Sequence, residues 1–87
     1  MIAQTLTVLH EEGLHTRPAN EFVRIVKAHQ AAVTLRKADR EASGSSLLKI
    51  MKLGIVTGDE ITLTCDGSDE QATMEALVRL VRPNGAS

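Results

Sequence analysis

The run Gly13-Leu14-His15-Thr16-Arg17-Pro18-Ala19 constrains this chain more than any other stretch. Glycine lets the backbone turn sharply, and a helix accepts proline only in its first turn. Ala19, Phe22, Val23 and Val26 then recur at the i, i+3, i+4, i+7 spacing of a core-facing helical stripe. A helix therefore starts inside this run, with His15 at or just before its N-terminus and Arg17 two residues on. The first amides of a helix have no partner within it, and the macrodipole is positive there, so the place favours an anion. A histidine beside an anion site suggests a nitrogen that accepts a phosphoryl group.

The helix is expected over about Thr16 to Ala28. At roughly 100° per residue, Arg17, Asn20, Arg24 and Lys27 fall nearly opposite the apolar stripe. One face packs, and the other carries a basic stripe that begins beside His15. In front of the helix, Ile2, Leu6 and Val8 alternate with Thr5 and Thr7 as a first strand, with Gln4 interrupting its apolar side. Residues 10–14 form the loop that delivers His15.

Behind the helix, Val33 and Leu35 alternate with polar neighbours as a second strand. Charged residues 36–41 turn the chain into a short third strand around Arg40 to Ser43. Ser45 or Ser46 can cap a second helix over Leu47 to Leu53. Gly54 and the Thr57-Gly58-Asp59 turn lead to a fourth strand, where Ile61, Leu63 and Cys65 alternate with Thr62 and Thr64. Ser68 and Gln71 have the spacing of a capping box for a last helix, whose stripe is Met74, Leu77, Val78 and Val81. The order βαββαβα predicts an α+β open-faced sandwich, a four-stranded antiparallel sheet covered on one face by three helices.

Eighty-seven residues suffice for one core, so residues 1–87 are expected as a single domain with a frayed tail over 83–87. Phe22 is the only aromatic, which removes any platform for stacking bases, and the net charge of −1 argues against a nucleic-acid partner. That balance hides an asymmetry, because residues 1–58 hold eight of the ten Lys and Arg but only five of the eleven Asp and Glu. Cys65 is the single cysteine and reads as core packing; it allows no internal disulfide and no cysteine-based zinc site. His10 and His29 join no metal-ligand pattern and read as surface residues. No apolar run approaches the ~20 residues of a membrane span, and no signal-peptide pattern is visible, so a cytoplasmic protein without membrane insertion is expected. There is no glycine-rich nucleotide loop and no magnesium cage, so no cofactor or metal is expected, and a phosphoryl relay fits better than a nucleotide-dependent kinase.

The second helix has more apolar residues than one face can use. Leu47, Ile50 and Met51 can share the core face with Leu53 beyond them, which leaves Leu48 outside. Beside Lys49 and the basic stripe, Leu48 would centre a docking surface with a charged rim, suited to an acidic partner around an apolar groove. Arg17 and Lys49 both sit in first turns, where a cation opposes the macrodipole, and residues placed against a local rule mark sites. Ser46 is a good N-cap; a phosphate there would suit the helix but place negative charge in the docking surface.

Three stretches together, Gly13 to Ala19 (GLHTRPA), Ser46 to Gly54 (SLLKIMKLG) and the Gly67 to Val81 helix approach, resemble the HPr family. These are histidine-containing phosphocarriers of the phosphoenolpyruvate-dependent sugar phosphotransferase system. The resemblance implies phosphorylation of His15 through Nδ1, with Arg17 steadying the phosphoryl group. It implies enzyme I as donor, enzyme IIA domains as acceptors, and a monomeric carrier rather than an enzyme with its own turnover. Docking would use Thr16, Arg17, Asn20, Arg24, Lys27, Leu47, Leu48 and Lys49. Ser46 matches a position that a dedicated HPr kinase phosphorylates in some bacterial groups, and regulatory proteins are further partners on that route. Ser45 stands where the family often has lysine, and the turn at Lys37 to Arg40 lacks the usual Asn-Gly. A nitrogen-related paralogue, a domain serving a dihydroxyacetone kinase, and a non-catalytic regulatory module are the rival readings.

Overall fold

The computed structural model describes residues 1–83, so residues 84–87 of the expected tail lie outside the described part. The elements run β1 (Ile2–Thr7), α1 (Thr16–Lys27), β2 (Ala32–Lys37), β3 (Arg40–Ser43), α2 (Leu47–Lys52), β4 (Glu60–Asp66) and α3 (Glu70–Val81). All strand pairs are antiparallel, and the sheet order is β1-β4-β2-β3. This is the expected βαββαβα sandwich.

The alternation in the strands decides which face is covered. Leu6, Val33, Leu35, Ile61, Leu63 and Cys65 are buried, and the register places Leu6 opposite Ile61 and Leu35 opposite Leu63. Ala19, Phe22 and Val26 of α1 and Met74, Leu77 and Val81 of α3 close over them, with Val23 partly buried at the margin. Phe22 is fully buried, so the one aromatic of the chain sits in an otherwise aliphatic core. Cys65 is likewise buried, and that burial pushes its thiol pKa up. Thr5 and Thr62 lie on the other face, where their hydroxyls hydrogen-bond at 2.9 Å.

Two local expectations need correction. The capping box proposed for Ser68 and Gln71 is not used: α3 begins at Glu70, and Asp69 is its N-cap residue. The Asp69 carboxylate caps no amide of its own helix and accepts from the Gln30 and Ala31 amides at 2.8 Å each. Two amides of a loop that no other element would satisfy outweigh a local cap. Glu70 performs the reciprocal part, its Oε1 accepting from the Gly67 amide at 3.0 Å. The second correction is Met51, placed on the core face by its spacing but 39% exposed. α2 is six residues long, and Ile50 with Leu53 already fills the space beneath it.

The hairpin joining β2 to β3 turns through Ala38 and Asp39, with Lys37 paired to Arg40. Ala38 has φ +56, a left-handed conformation in which glycine or asparagine is easier to hold. Both flanking cations reach α2 and the loop after it. Arg40 donates to the Lys52 carbonyl at 3.2 Å, and Lys37 donates to the Gly54 carbonyl at 3.0 Å. The short second helix is thus held at its C-terminal end, where cations favour the macrodipole.

Candidate functional site

His15 is the N-cap residue of α1, with extended backbone angles (φ −77, ψ −161), and its side chain makes no capping hydrogen bond. Its carbonyl starts the helix by accepting from the Ala19 amide at 2.8 Å. Pro18 has no N–H to satisfy and is buried beneath the first turn. The amides of Thr16 and Arg17 have no hydrogen-bond partner among the described residues. No acidic side chain occupies that turn. The imidazole and the Arg17 side chain are both exposed, and Arg17 forms no ion pair among the described residues. Two open amides, an arginine and a histidine therefore share one exposed helix start.

The loop carrying His15 is held by the segment that follows α2. A Cβ on Gly13 would lie 2.6 Å from the Ile55 carbonyl oxygen and 2.7 Å from the Val56 Cα, and φ there is +60. Leu14 donates to the Ile55 carbonyl at 3.1 Å and buries its side chain. The Thr57 hydroxyl reaches the His10 and Glu11 carbonyls, at 2.6 and 3.0 Å. The supporting segment is itself anchored by Asp59, which accepts from the Val56 amide at 2.9 Å and pairs with Lys37 at 2.8 Å. Lys37, with the Val56 amide, holds the Asp59 carboxyl below its usual pKa. On the other side the Val81 carbonyl at the end of α3 accepts from the Leu9 and His10 amides, both at 2.9 Å.

The remaining sequence-predicted residues fall into two groups. Thr16, Asn20, Arg24 and Lys27 are exposed on α1, with Arg24 paired to Glu21 at 3.4 Å. On α2, Leu48 is 64% exposed and Lys49 is exposed, while Leu47 is half-buried against the core. Ser46 is the N-cap of α2, its hydroxyl accepting from the Lys49 amide at 3.4 Å. α1 and α2 pack against each other, so the two exposed faces adjoin. Met51 joins Leu48 there. Residues 55–57 were invisible to pattern reading as part of the site; only Gly13 hinted that some backbone passes close to it.

His10 and His29 are half-buried rather than simple surface residues. The Glu12 amide donates to His10 Nδ1 at 3.2 Å. His29 Nδ1 lies 2.7 Å from the Ile25 carbonyl oxygen and donates to it. Among the described residues no three His, Cys, Asp or Glu side chains gather as a metal site.

Residues 2–82 match the family model described as "PTS HPr component phosphorylation site". The chain belongs to the HPr family. It is 37% identical over 81 residues to the phosphocarrier protein HPr of Haemophilus influenzae, covering 93% of this chain and 95% of that one. The crystal structure of a phosphocarrier protein HPr from Bacillus anthracis superposes with a TM-score of 0.89 at 34% identity, covering 92% of this chain and 95% of that one. An HPr dimer from Thermoanaerobacter tengcongensis superposes with a TM-score of 0.75 at 29% identity over 100% of both chains. An HPr family member is a phosphocarrier of the phosphotransferase system, and the α+β sandwich found here is the HPr architecture.

Proposed function

We propose that the chain takes a phosphoryl group on His15 from phosphorylated enzyme I and gives it to enzyme IIA domains. The observation that carries this reading is the open start of α1, where His15 leaves its own helix uncapped and the Thr16 and Arg17 amides unpartnered. The neutral imidazole attacks phosphorus with a ring-nitrogen lone pair. A nitrogen–phosphorus bond forms at His15 as the donor's bond to phosphorus breaks, and the donor keeps that electron pair. The phosphoryl oxygens then face the two amides and the Arg17 guanidinium, which stabilise the charge without reorganisation. Phosphoryl transfer to an acceptor is the same exchange in the forward direction.

Docking would use the adjoining faces of α1 and α2, with Leu48 and Met51 as an apolar centre and Arg17, Arg24, Lys27 and Lys49 as a basic rim. Such a rim steers an acidic partner to the site. A phosphate on Ser46 would place negative charge within that rim, which supports a regulatory role for that residue. The carrier role favours a monomer in the cytoplasm, since donor and acceptor need the same face in turn; sedimentation tests this against a dimer like that of the Thermoanaerobacter protein. No helix is long and apolar enough to cross a membrane among the described residues.

The test is incubation with enzyme I and labelled phosphoenolpyruvate, followed by acid and base treatment. A label that survives base and is lost in acid is expected. His15→Ala should abolish it while changing stability by no more than about 0.5 kcal/mol, because the side chain is exposed and caps nothing. Undiminished labelling of His15→Ala would overturn the assignment.

A further inference from the structure

We infer that Glu12 destabilises the phosphohistidine formed on His15, and so sets how readily the carrier gives its phosphoryl group away. This rests on the reading of His15 as the acceptor. The two positions are three steps apart along the chain, so their Cα atoms can be no more than about 11 Å apart. The backbone leading to His15 turns tightly, because the Gly13 amide donates to the His10 carbonyl at 2.9 Å and Gly13 has φ +60. The loop is also held in place. Gly13 lies against the Ile55 and Val56 backbone, Thr57 grips the His10 and Glu11 carbonyls, and the Glu12 amide donates to His10 Nδ1. The backbone that carries Glu12 is therefore fixed relative to His15.

Its charge is also uncompensated. Glu21 pairs with Arg24, Glu41 with Arg36 and Asp59 with Lys37, whereas Glu12 forms no ion pair among the described residues. His15 thus stands between an unpaired carboxylate three residues before it and an unpaired guanidinium two residues after it. Phosphorylation brings up to two negative charges to the imidazole. The carboxylate then repels a group that is absent from the free carrier, and at about 10 mM salt, where the Debye length is about 30 Å, that repulsion spans the separation. Arg17 stabilises the phosphorylated form and Glu12 opposes it. Such opposition suits a relay, whose bound group must be accepted and also released.

The quantity to measure is the exchange equilibrium of the full chain with N-phosphoimidazole, followed by phosphorus NMR at fixed pH. In that exchange the nitrogen–phosphorus bond of the reagent breaks, one forms at His15, and free imidazole leaves with the electron pair. Glu12→Gln keeps the backbone amide that bonds His10 and removes only the charge. Its equilibrium constant for phosphorylation of His15 is expected to rise roughly three- to fivefold at about 10 mM salt, and to approach that of the unsubstituted chain at about 1 M. Glu75→Gln, exposed on α3, should leave it unchanged. Equal constants for Glu12→Gln and the unsubstituted chain at low salt would overturn the inference while leaving the carrier reading intact. A gain that persists at high salt would show a structural effect and overturn it too. No phosphohistidine at His15 in the unsubstituted chain would overturn both.

Discussion

The starts of α1 and α3 present the same physical problem in opposite surroundings. Each has backbone donors without intrahelical partners. At α3 acidic residues stand at the helix start, although neither carboxylate bonds the helix's own first amides. Glu70 reaches back to the Gly67 amide, and Asp69 ties the helix start to the loop after α1 through Gln30 and Ala31. At α1 no acidic residue enters the first turn, and the N-cap is a histidine that caps nothing. One helix start is used to hold the fold together. The other is left open, and under the proposed function that opening receives the phosphoryl group. α2 lies between these cases, with Ser46 as a local cap.

That contrast can be broken most severely at Gly13. Gly13→Ala would force a Cβ to 2.6 Å from the Ile55 carbonyl oxygen in a left-handed conformation. We expect a loss of about 1–3 kcal/mol in chemical denaturation, and slower labelling of the refolded protein because His15 is displaced. Normal stability would mean that residues 55–57 do not brace the loop. Arg17→Ala separates function from stability in the other direction. Labelling by enzyme I should slow roughly 10- to 100-fold. The helix should gain roughly a few tenths of a kcal/mol, since a first-turn cation opposes the macrodipole. Loss of stability in thermal melts would show that Arg17 has a structural task.

The smallest expected effect belongs to α3 and runs opposite to that of Arg17. The Gln30 amide foremost, with that of Ala31, holds the Asp69 carboxyl below its usual pKa. A lowered folded value means that Asp69 contributes stability above its unfolded pKa of about 3.9. That contribution is lost as pH falls through the lower folded value. Asp69→Asn should therefore lower the melting temperature at neutral pH and flatten its decline below about pH 4, with labelling of His15 unchanged. Asp59 carries the same sign through Lys37, so some acid dependence persists in that variant. A melting profile parallel to that of the unsubstituted chain would refute the role given to Asp69.

Much of this molecule is legible in its sequence because the signals are local. Strand alternation, the stripe from Ala19 to Val26, and proline in a first turn each depend on residues a few positions apart, and the strands and α1 formed where those patterns placed them. The N-cap position of His15 and the exposure of Arg17 and Leu48 follow from the same patterns. Met51 did not follow, because the depth of the core under a six-residue helix is a property of the packed whole. Nor did the start of α3, where Asp69 satisfies amides 38 and 39 residues away instead of its own helix. The brace behind the site, running from Lys37 through Asp59 and Val56 to Gly13, joins residues far apart in the chain.

What the sequence alone determined is the order of the elements, their buried faces, and a histidine at the head of the first helix. Periodicity, turn chemistry and helix-end electrostatics act over one or two turns of chain, so they can be read without the fold. Only the tertiary structure decided which helix start was spent on holding loops and which stayed open. It also decided what pins the His15 loop and which apolar residues face outward. Those outcomes depend on hydrogen bonds and contacts between distant segments, and no local pattern encodes which partner a polar group finds.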